Sequence, residues 1–216
     1  MKNIKLNNGV EMPMIGFGTF QITDPEQCEK SVLTAIHAGY RLIDTAEAYG
    51  NEKYVGNAVR KCGIARDELF LTTKLNFNHF ETETARETIN RSLENLQTDY
   101  IDLVLLHWGF GNRYSAWRVL EEFYGQGKIR AIGVSNFEPD MLIDLIHFNK
   151  VTPALKRICT VSEKTLMPGK INMELPTRHM RRLVKEKQTI CLRKKPLSGL
   201  PKNTVKRRHR FYCAIR

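Results

Sequence analysis

The stretch Gly39-Tyr40-Arg41-Leu42-Ile43-Asp44-Thr45-Ala46 decides the fold. Gly39 stands where a helix C-terminal cap belongs, because glycine adopts left-handed backbone without a Cβ penalty. Arg41–Asp44 then reads as a short strand whose apolar run ends in a carboxylate. A strand too apolar to face water, finished by one ionisable side chain, predicts a buried parallel strand with chemistry at its C-terminal end.

Working outward, the same sentence repeats. Upstream, Ile4, Leu6, Val10 and Met12 flank Asn7-Asn8-Gly9, which predicts a hairpin, and Met14–Gly18 reads as a strand. Asp24 as N-cap, Pro25 at the first helical position and Gln27 completing a capping box predict a helix running to Gly39. Downstream, the helices are Glu52–Cys62, Thr82–Leu96, Ser115–Tyr124 and Pro139–Phe148, and the strands Leu69–Lys74, Ile101–His107 and Ile129–Val134. Lys74 ends one strand, His107 the next, and Ser135-Asn136 follow the last. A doubly wound sheet would call for a Gly-rich phosphate loop after the first strand, but Gly16-Phe17-Gly18 is followed by Gln21 where the third glycine is needed. Polar residues on successive strand ends instead fit a (β/α)8 TIM barrel, whose strand ends converge on one face. Five βα units and the hairpin make it an incomplete barrel.

Composition sets the limits. At 216 residues, with 42% hydrophobic and 26% charged residues, the chain is expected to fold and to be soluble. A polar N-terminus and the lack of a long apolar run exclude a secretory signal and a membrane span, so a cytoplasmic setting is expected; the sequence does not set the oligomeric state, with a monomer favoured. Five cysteines, at 28, 62, 159, 191 and 213, form no CxxC pair, which predicts free thiols and no metal site. The net charge of +11 is unevenly placed: residues 1–154 carry 16 Lys and Arg against 20 Asp and Glu, and residues 155–216 carry 18 against 3. The chain is therefore read as two parts, 1–154 and 155–216.

The stretch quoted above, with Tyr49, Glu52 and Gly56 after it, resembles the aldo-keto reductase signature. So do Gly16-Phe17-Gly18-Thr19, Thr72-Thr73-Lys74, the strand Ile101–Trp108 and Gly133-Val134-Ser135-Asn136-Phe137. The resemblance runs in order from about residue 3 to residue 154. It implies a barrel that reduces aldehydes or ketones with NADPH, without metal or flavin. Carried across, the catalytic tetrad is Asp44, Tyr49, Lys74 and His107. The chemistry agrees: an alkoxide formed by hydride delivery needs a proton donor, and tyrosine, with its pKa of about 10, donates poorly unless an ammonium stabilises the phenolate. Asp44 holds that lysine charged, and His107 hydrogen-bonds the carbonyl oxygen. The resemblance further implies that Ser135 and Asn136 bond the nicotinamide carboxamide, that Thr19 and Asp44 lie near its ribose, and that Phe20 and Trp108 line the substrate pocket. Gly109 stands where the family usually has proline, which is expected to loosen the loop beside the pocket.

After Val151-Thr152-Pro153-Ala154 the family pattern stops. The glutamine of the sixth strand, the last strands and the basic loop that grips the cofactor phosphates are not recognisable, so cofactor affinity is expected to be much reduced. Residues 155–216 are expected to be a disordered basic tail. Arg181-Arg182 and Lys206-Arg207-Arg208-His209-Arg210 suggest non-specific polyanion binding as the alternative function, although Phe211 and Tyr212 are too few for base stacking and a nucleic-acid partner is not expected. Permitted codons for Pro201 to Ile215, read one frame over, can spell KKYGKTAAQVLLRY, which resembles a late helix of the same family. The tail is therefore read as an out-of-frame translation.

Overall fold

A computed structural model describes residues 2–158, 190–191 and 211–214. The chain opens with an antiparallel hairpin, β1 (Asn3–Lys5) and β2 (Glu11–Pro13), in register Ile4 to Met12. Gly9 supplies the left-handed turn with φ 89°. Then strands and helices alternate: β3 (Gly16–Gly18), α1 (Pro25–His37), β4 (Leu42–Asp44), α2 (Glu52–Lys61), β5 (Phe70–Leu75), α3 (Thr82–Leu96), β6 (Leu103–Leu106), α4 (Arg113–Gly125), β7 (Ile132–Ser135) and α5 (Pro139–Phe148). The N-cap and C-terminal signals hold, since Asp24 accepts the Gln27 N–H at 2.7 Å and Gly39, after the C-cap Ala38, takes φ 94°.

Strands β3 to β7 pair in parallel in chain order, so each crossover places a helix on the same side of a curled sheet. The parallel sheet continues past Ala154, the expected end of the barrel part. β8 (Leu155–Ile158) pairs parallel with β7, with Val134 opposite Lys156 and Ser135 opposite Arg157. β9 (Ile190–Cys191) and β10 (Phe211–Ala214) add antiparallel strands beyond it. These ten residues are in strands, where the sequence pattern suggests a disordered tail. Residues 159–189, 192–210 and 215–216, to which the rest of that expectation and most of the out-of-frame reading apply, lie outside the described residues. Among the described residues the sheet is open, with β3 at one edge and β9 at the other. The architecture is thus an incomplete parallel barrel.

Alternation along the strands sorts their side chains onto two faces. Ile43, Leu71, Val104, Leu106, Ile132 and Val134 point outward into the large core shared with the helices. Leu42, Phe70, Leu103, Leu105, Ala131 and Leu155 point inward, where Ile4, Leu6 and Met12 of the hairpin close the N-terminal end as a plug. Asn7 Nδ2 donates to Pro153 O at 3.1 Å and Asn8 Nδ2 to Arg130 O at 2.9 Å, tying the hairpin turn to the segments just before Leu155–Ile158 and Ile132–Ser135. Counting by twos along the inner face from Leu42, Phe70, Leu105 and Ala131 leads to Asp44, Lys74, His107 and Ser135. The pattern that buries the inner apolar layer therefore also aims four polar residues at the opposite end.

The helix layer is close-packed where α2 meets α3. A Cβ on Gly56 would lie 2.3 Å from Asn95 O and 2.8 Å from the Leu96 carbonyl carbon, both backbone atoms of α3. Gly56→Ala is therefore expected to force the helices apart and lower unfolding free energy by about 1–3 kcal/mol. An unchanged urea midpoint would contradict this close approach.

Candidate functional site

At the C-terminal ends of β4 and β5, Asp44 and Lys74 form an ion pair, Nζ to Oδ1 at 2.8 Å, and both residues are fully buried. Lys74 Nζ also donates to Thr45 O, which binds the β4 loop to the end of β5. The same Nζ lies 4.8 Å from the centroid of the Tyr49 ring. Tyr49 sits on a single 3-10 turn, Glu47–Tyr49, ended by Gly50 at φ 66°. Its ring meets His107 edge-on with centroids 5.8 Å apart. The His107 N–H donates to Leu75 O at 2.9 Å, which extends the β5–β6 ladder by one residue and fixes the imidazole beside the tyrosine. The four residues singled out as a tetrad are thus brought to one place by three consecutive strand ends.

The polar shell beneath them is dense. Asn51 is buried; its Oδ1 accepts from Thr45 Oγ1 at 2.7 Å and its Nδ2 donates to Thr19 O and Ile22 O, each at 3.0 Å. Thr19 is fully buried, and its hydroxyl is directed at Asp44 O and Asn51 Oδ1. Ser135 is buried at the end of β7, and Asn136 adopts φ 57°, which turns its carboxamide back so that Nδ2 donates to His107 O at 3.0 Å and to Ser135 Oγ at 3.1 Å. Phe20 meets the Tyr49 ring at 5.0 Å, and Trp108 stacks between His107 and Phe110, each at 6.0 Å. Phe20 and Trp108 are 39% and 38% exposed, so this side of the site is an open aromatic wall. A Cβ on Gly109 would lie 2.4 Å from Met141 Sδ, so the α5 methionine side chain occupies space that a larger residue would use.

Two buried acids were not assigned a role from sequence. Asp102 Oδ2 accepts from Arg66 Nη2 at 2.8 Å and from the Leu71 N–H at 2.9 Å, and its Oδ1 accepts from Arg130 Nη1 at 2.8 Å. It clamps the N-terminal ends of β5 to β7, at the end away from the tetrad. Nothing local in the sequence marks it, because its partners are 28 to 36 residues distant. Glu52 accepts from Thr73 Oγ1 at 2.6 Å and Ser92 Oγ at 3.2 Å, pinning the outer face of β5 one residue before Lys74. Burial raises its carboxyl pKa above the ordinary glutamate range, partly offset by those hydroxyls. A folded-state pKa above the unfolded one gives stability that is present below about pH 4.3 and lost as pH rises through the folded value. Glu52→Gln is accordingly expected to flatten the fall of unfolding free energy between acidic and neutral pH, measured by urea unfolding across that range; a parental slope would contradict it.

Cys28 and Cys62 are buried free thiols, and burial pushes the Cys28 pKa up to about 11. Among the described residues no group of three or more His, Cys, Asp or Glu side chains is placed to hold a metal ion, and no helix is long and apolar enough to cross a membrane.

The Aldo/keto reductase family model matches residues 14–184, most of the chain. The chain belongs to the aldo-keto reductase family. Among curated reductases, it is 44% identical to glyoxal reductase of Bacillus subtilis (strain 168) over 156 residues, 72% of this chain and 56% of that protein. A solved aldo-keto reductase from a Medee basin deep-sea metagenome library superposes with TM-score 0.71 at 45% identity, covering 73% of this chain and 58% of that one. The Bombyx mori aldo-keto reductase, solved in complex with NADP, gives TM-score 0.70 at 30% identity over 74% of this chain and 58% of that one. The chain thus spans a little over half the length of the reductases it matches.

Proposed function

We propose that this chain carries the proton-transfer half of an NADPH-dependent aldehyde or ketone reductase site. The observation that supports it most is the buried Asp44–Lys74 pair, 2.8 Å apart, with its ammonium 4.8 Å from the Tyr49 ring. A buried ion pair is a costly device for stability alone, since desolvation offsets much of its attraction. Beside a phenol it has a use: the ammonium favours the phenolate, so the tyrosine gives up its proton more readily.

The residues present fit the nicotinamide end of the cofactor. Ser135 and Asn136 bring a hydroxyl and a carboxamide to the end of β7 beside His107, a donor and acceptor set that matches a primary amide. These two would hold the carboxamide, and Asp44 would lie towards the ribose. Thr19 would serve there by shaping the floor, because its hydroxyl is turned to Asp44 O and Asn51. NADPH, when bound there, would supply a hydride to the carbonyl carbon. Tyr49 Oη–H then donates its proton to the carbonyl oxygen, Lys74 stabilises the phenolate left behind, Asp44 keeps Lys74 charged and oriented, and His107 holds the carbonyl oxygen in reach. Phe20 and Trp108 wall the substrate off from bulk water on one side. The buried thiols fit a reducing cytoplasmic setting.

Weak affinity for the cofactor is part of this proposal, because no phosphate-gripping loop is recognisable in residues 155–216. The experiment is a titration of the purified chain with NADPH followed by protein fluorescence, together with aldehyde-dependent loss of NADPH absorbance. Saturable quenching and turnover support the reading. Retention on DNA that disappears with salt, without NADPH binding, would replace it by the second reading, polyanion binding through residues 155–216, which carry 18 basic against 3 acidic residues.

A further inference from the structure

Tyr49 stands on a loop, not on a strand, so its distance from Lys74 is not set by the sheet. It occupies the last position of a three-residue turn, and the turn needs an anchor on the side of β5 if the phenol is to stay beside the ammonium. Lys74 Nζ donating to Thr45 O ties the loop before the turn, and Asn51 ties the chain after it. The first residue of the turn itself, Glu47, reaches across to the β5–α3 loop. Its Oε1 accepts from the backbone N–H of Asn76 at 2.9 Å and lies 2.9 Å from His79 Nδ1. The Glu47 side chain is 9% exposed and that of His79 35%. Asn76 is two residues beyond Lys74, directly after β5, and its carbonyl accepts from the His79 N–H in the 3-10 turn Phe77–His79. One carboxylate oxygen therefore joins the turn that carries Tyr49 to the strand end that carries Lys74.

We propose that Glu47 is a positioning residue for the reductase chemistry, acting by stapling the Tyr49 turn to Asn76 and His79 so that the phenol is held at the Lys74 ammonium. The proposal rests on the reductase reading for its effect on turnover, but the staple itself concerns only the placement of Tyr49. A carboxylate suits the task because charge-assisted bonds to a backbone N–H and an imidazole are shorter and stronger than neutral ones. Glu47 holds the Asn76 N–H and the His79 ring, so its influence on Tyr49 passes through the turn. Placement errors of about 1 Å cost up to 10²-fold in rate, which sets the size of the expected effect.

The test compares the parent chain with Glu47→Ala, Glu47→Gln and Glu47→Asp, using tyrosine labelled with carbon-13 at Cζ, with the Tyr49 resonance assigned by its loss in Tyr49→Phe. The groups that face the Tyr49 ring are Lys74, with Asp44 behind it, and His107; those that face Glu47 are His79 and, more remotely, Glu52. None of these is altered in the series. With the staple removed, the phenol drifts from the ammonium, so Glu47→Ala moves the Tyr49 titration midpoint to higher pH and lowers kcat by about 10- to 100-fold with little change in KM. Glu47→Gln, whose amide oxygen still accepts from Asn76, restores most of both readouts. Glu47→Asp, too short to span the gap, behaves like alanine while its far-UV spectrum and melt match the parent, and it decides the matter if Glu47→Ala does not fold. A parental Tyr49 titration in the alanine or aspartate variant overturns the proposal. If the parent shows no turnover at all, a shifted titration in the variants still sustains the staple while the reductase reading falls, so the two fail separately.

Discussion

Tyr49→Phe is expected to lower the kcat of carbonyl reduction by about 10²–10⁴-fold while leaving the fold and NADPH binding in place. The substitution removes one oxygen and nothing else. The Tyr49 ring keeps its contacts with Phe20, at 5.0 Å, and with His107, at 5.8 Å, so packing at the mouth of the site is preserved. The ammonium of Lys74 retains its own partners, Asp44 and Thr45 O, and is not left unpaired. What is lost is the only hydroxyl that the tetrad can present to a developing alkoxide. Phe at this position also leaves the Glu47 staple intact, which separates loss of the donor from loss of its placement. The measurement is steady-state turnover with an aldehyde, alongside fluorescence titration with NADPH and a thermal melt. A Tyr49→Phe chain that turns over within about threefold of the parent would remove Tyr49 as the general acid, because general acid catalysis contributes far more than that.

Much of the frame behind this site was legible from local signals. Asp24, Pro25 and Gly39 bracket α1 because capping depends on residues within one turn of the helix end, and the structure keeps those bounds to within two residues. Thr82–Leu96 and Pro139–Phe148 fall where the periodicity puts them. The strand ends were legible for a different reason: a polar residue closing a doubly buried apolar run has to point somewhere, and alternation leaves the inner mouth as the common answer for Asp44, Lys74, His107 and Ser135. What escaped was non-local or atypical. Leu155-Lys156-Arg157-Ile158 fails as a buried strand on composition, yet β7 offers an open edge, and Leu155 joins the inner apolar layer beside Leu105 and Ala131. Asp102 gave no sign because its meaning depends on Arg66 and Arg130, which only the sheet brings together. Glu47 follows the quoted stretch by one residue and gave no sign, because its partners Asn76 and His79 belong to the next βα unit.

Lys74→Met carries the largest expected effect on stability. Lys74 and Asp44 are both fully buried and 2.8 Å apart, so each is the other's main compensation for leaving water. Methionine fills nearly the same length of side chain, and the inner face suffers little loss of volume. It leaves the buried Asp44 carboxylate without the Lys74 ammonium and Thr45 O without the donor it had. Removing one partner of a buried pair costs about 3–5 kcal/mol, a large share of the 5–15 kcal/mol that holds a typical domain together. The melting temperature should fall by roughly 10 °C, at about 2–4 °C per kcal/mol for a chain of this size. Asp44→Asn combined with Lys74→Met removes both charges and should recover much of the loss, since no uncompensated ion then remains in the sheet. The double variant being as unstable as the sum of the singles would mean that the two residues contribute independently, and the ion pair would lose its standing as the feature that holds the strand ends of β4 and β5 together. Stability recovered without turnover is the result that fits a pair retained for its effect on Tyr49, because a neutral pair keeps the fold but supplies no ammonium beside the phenol.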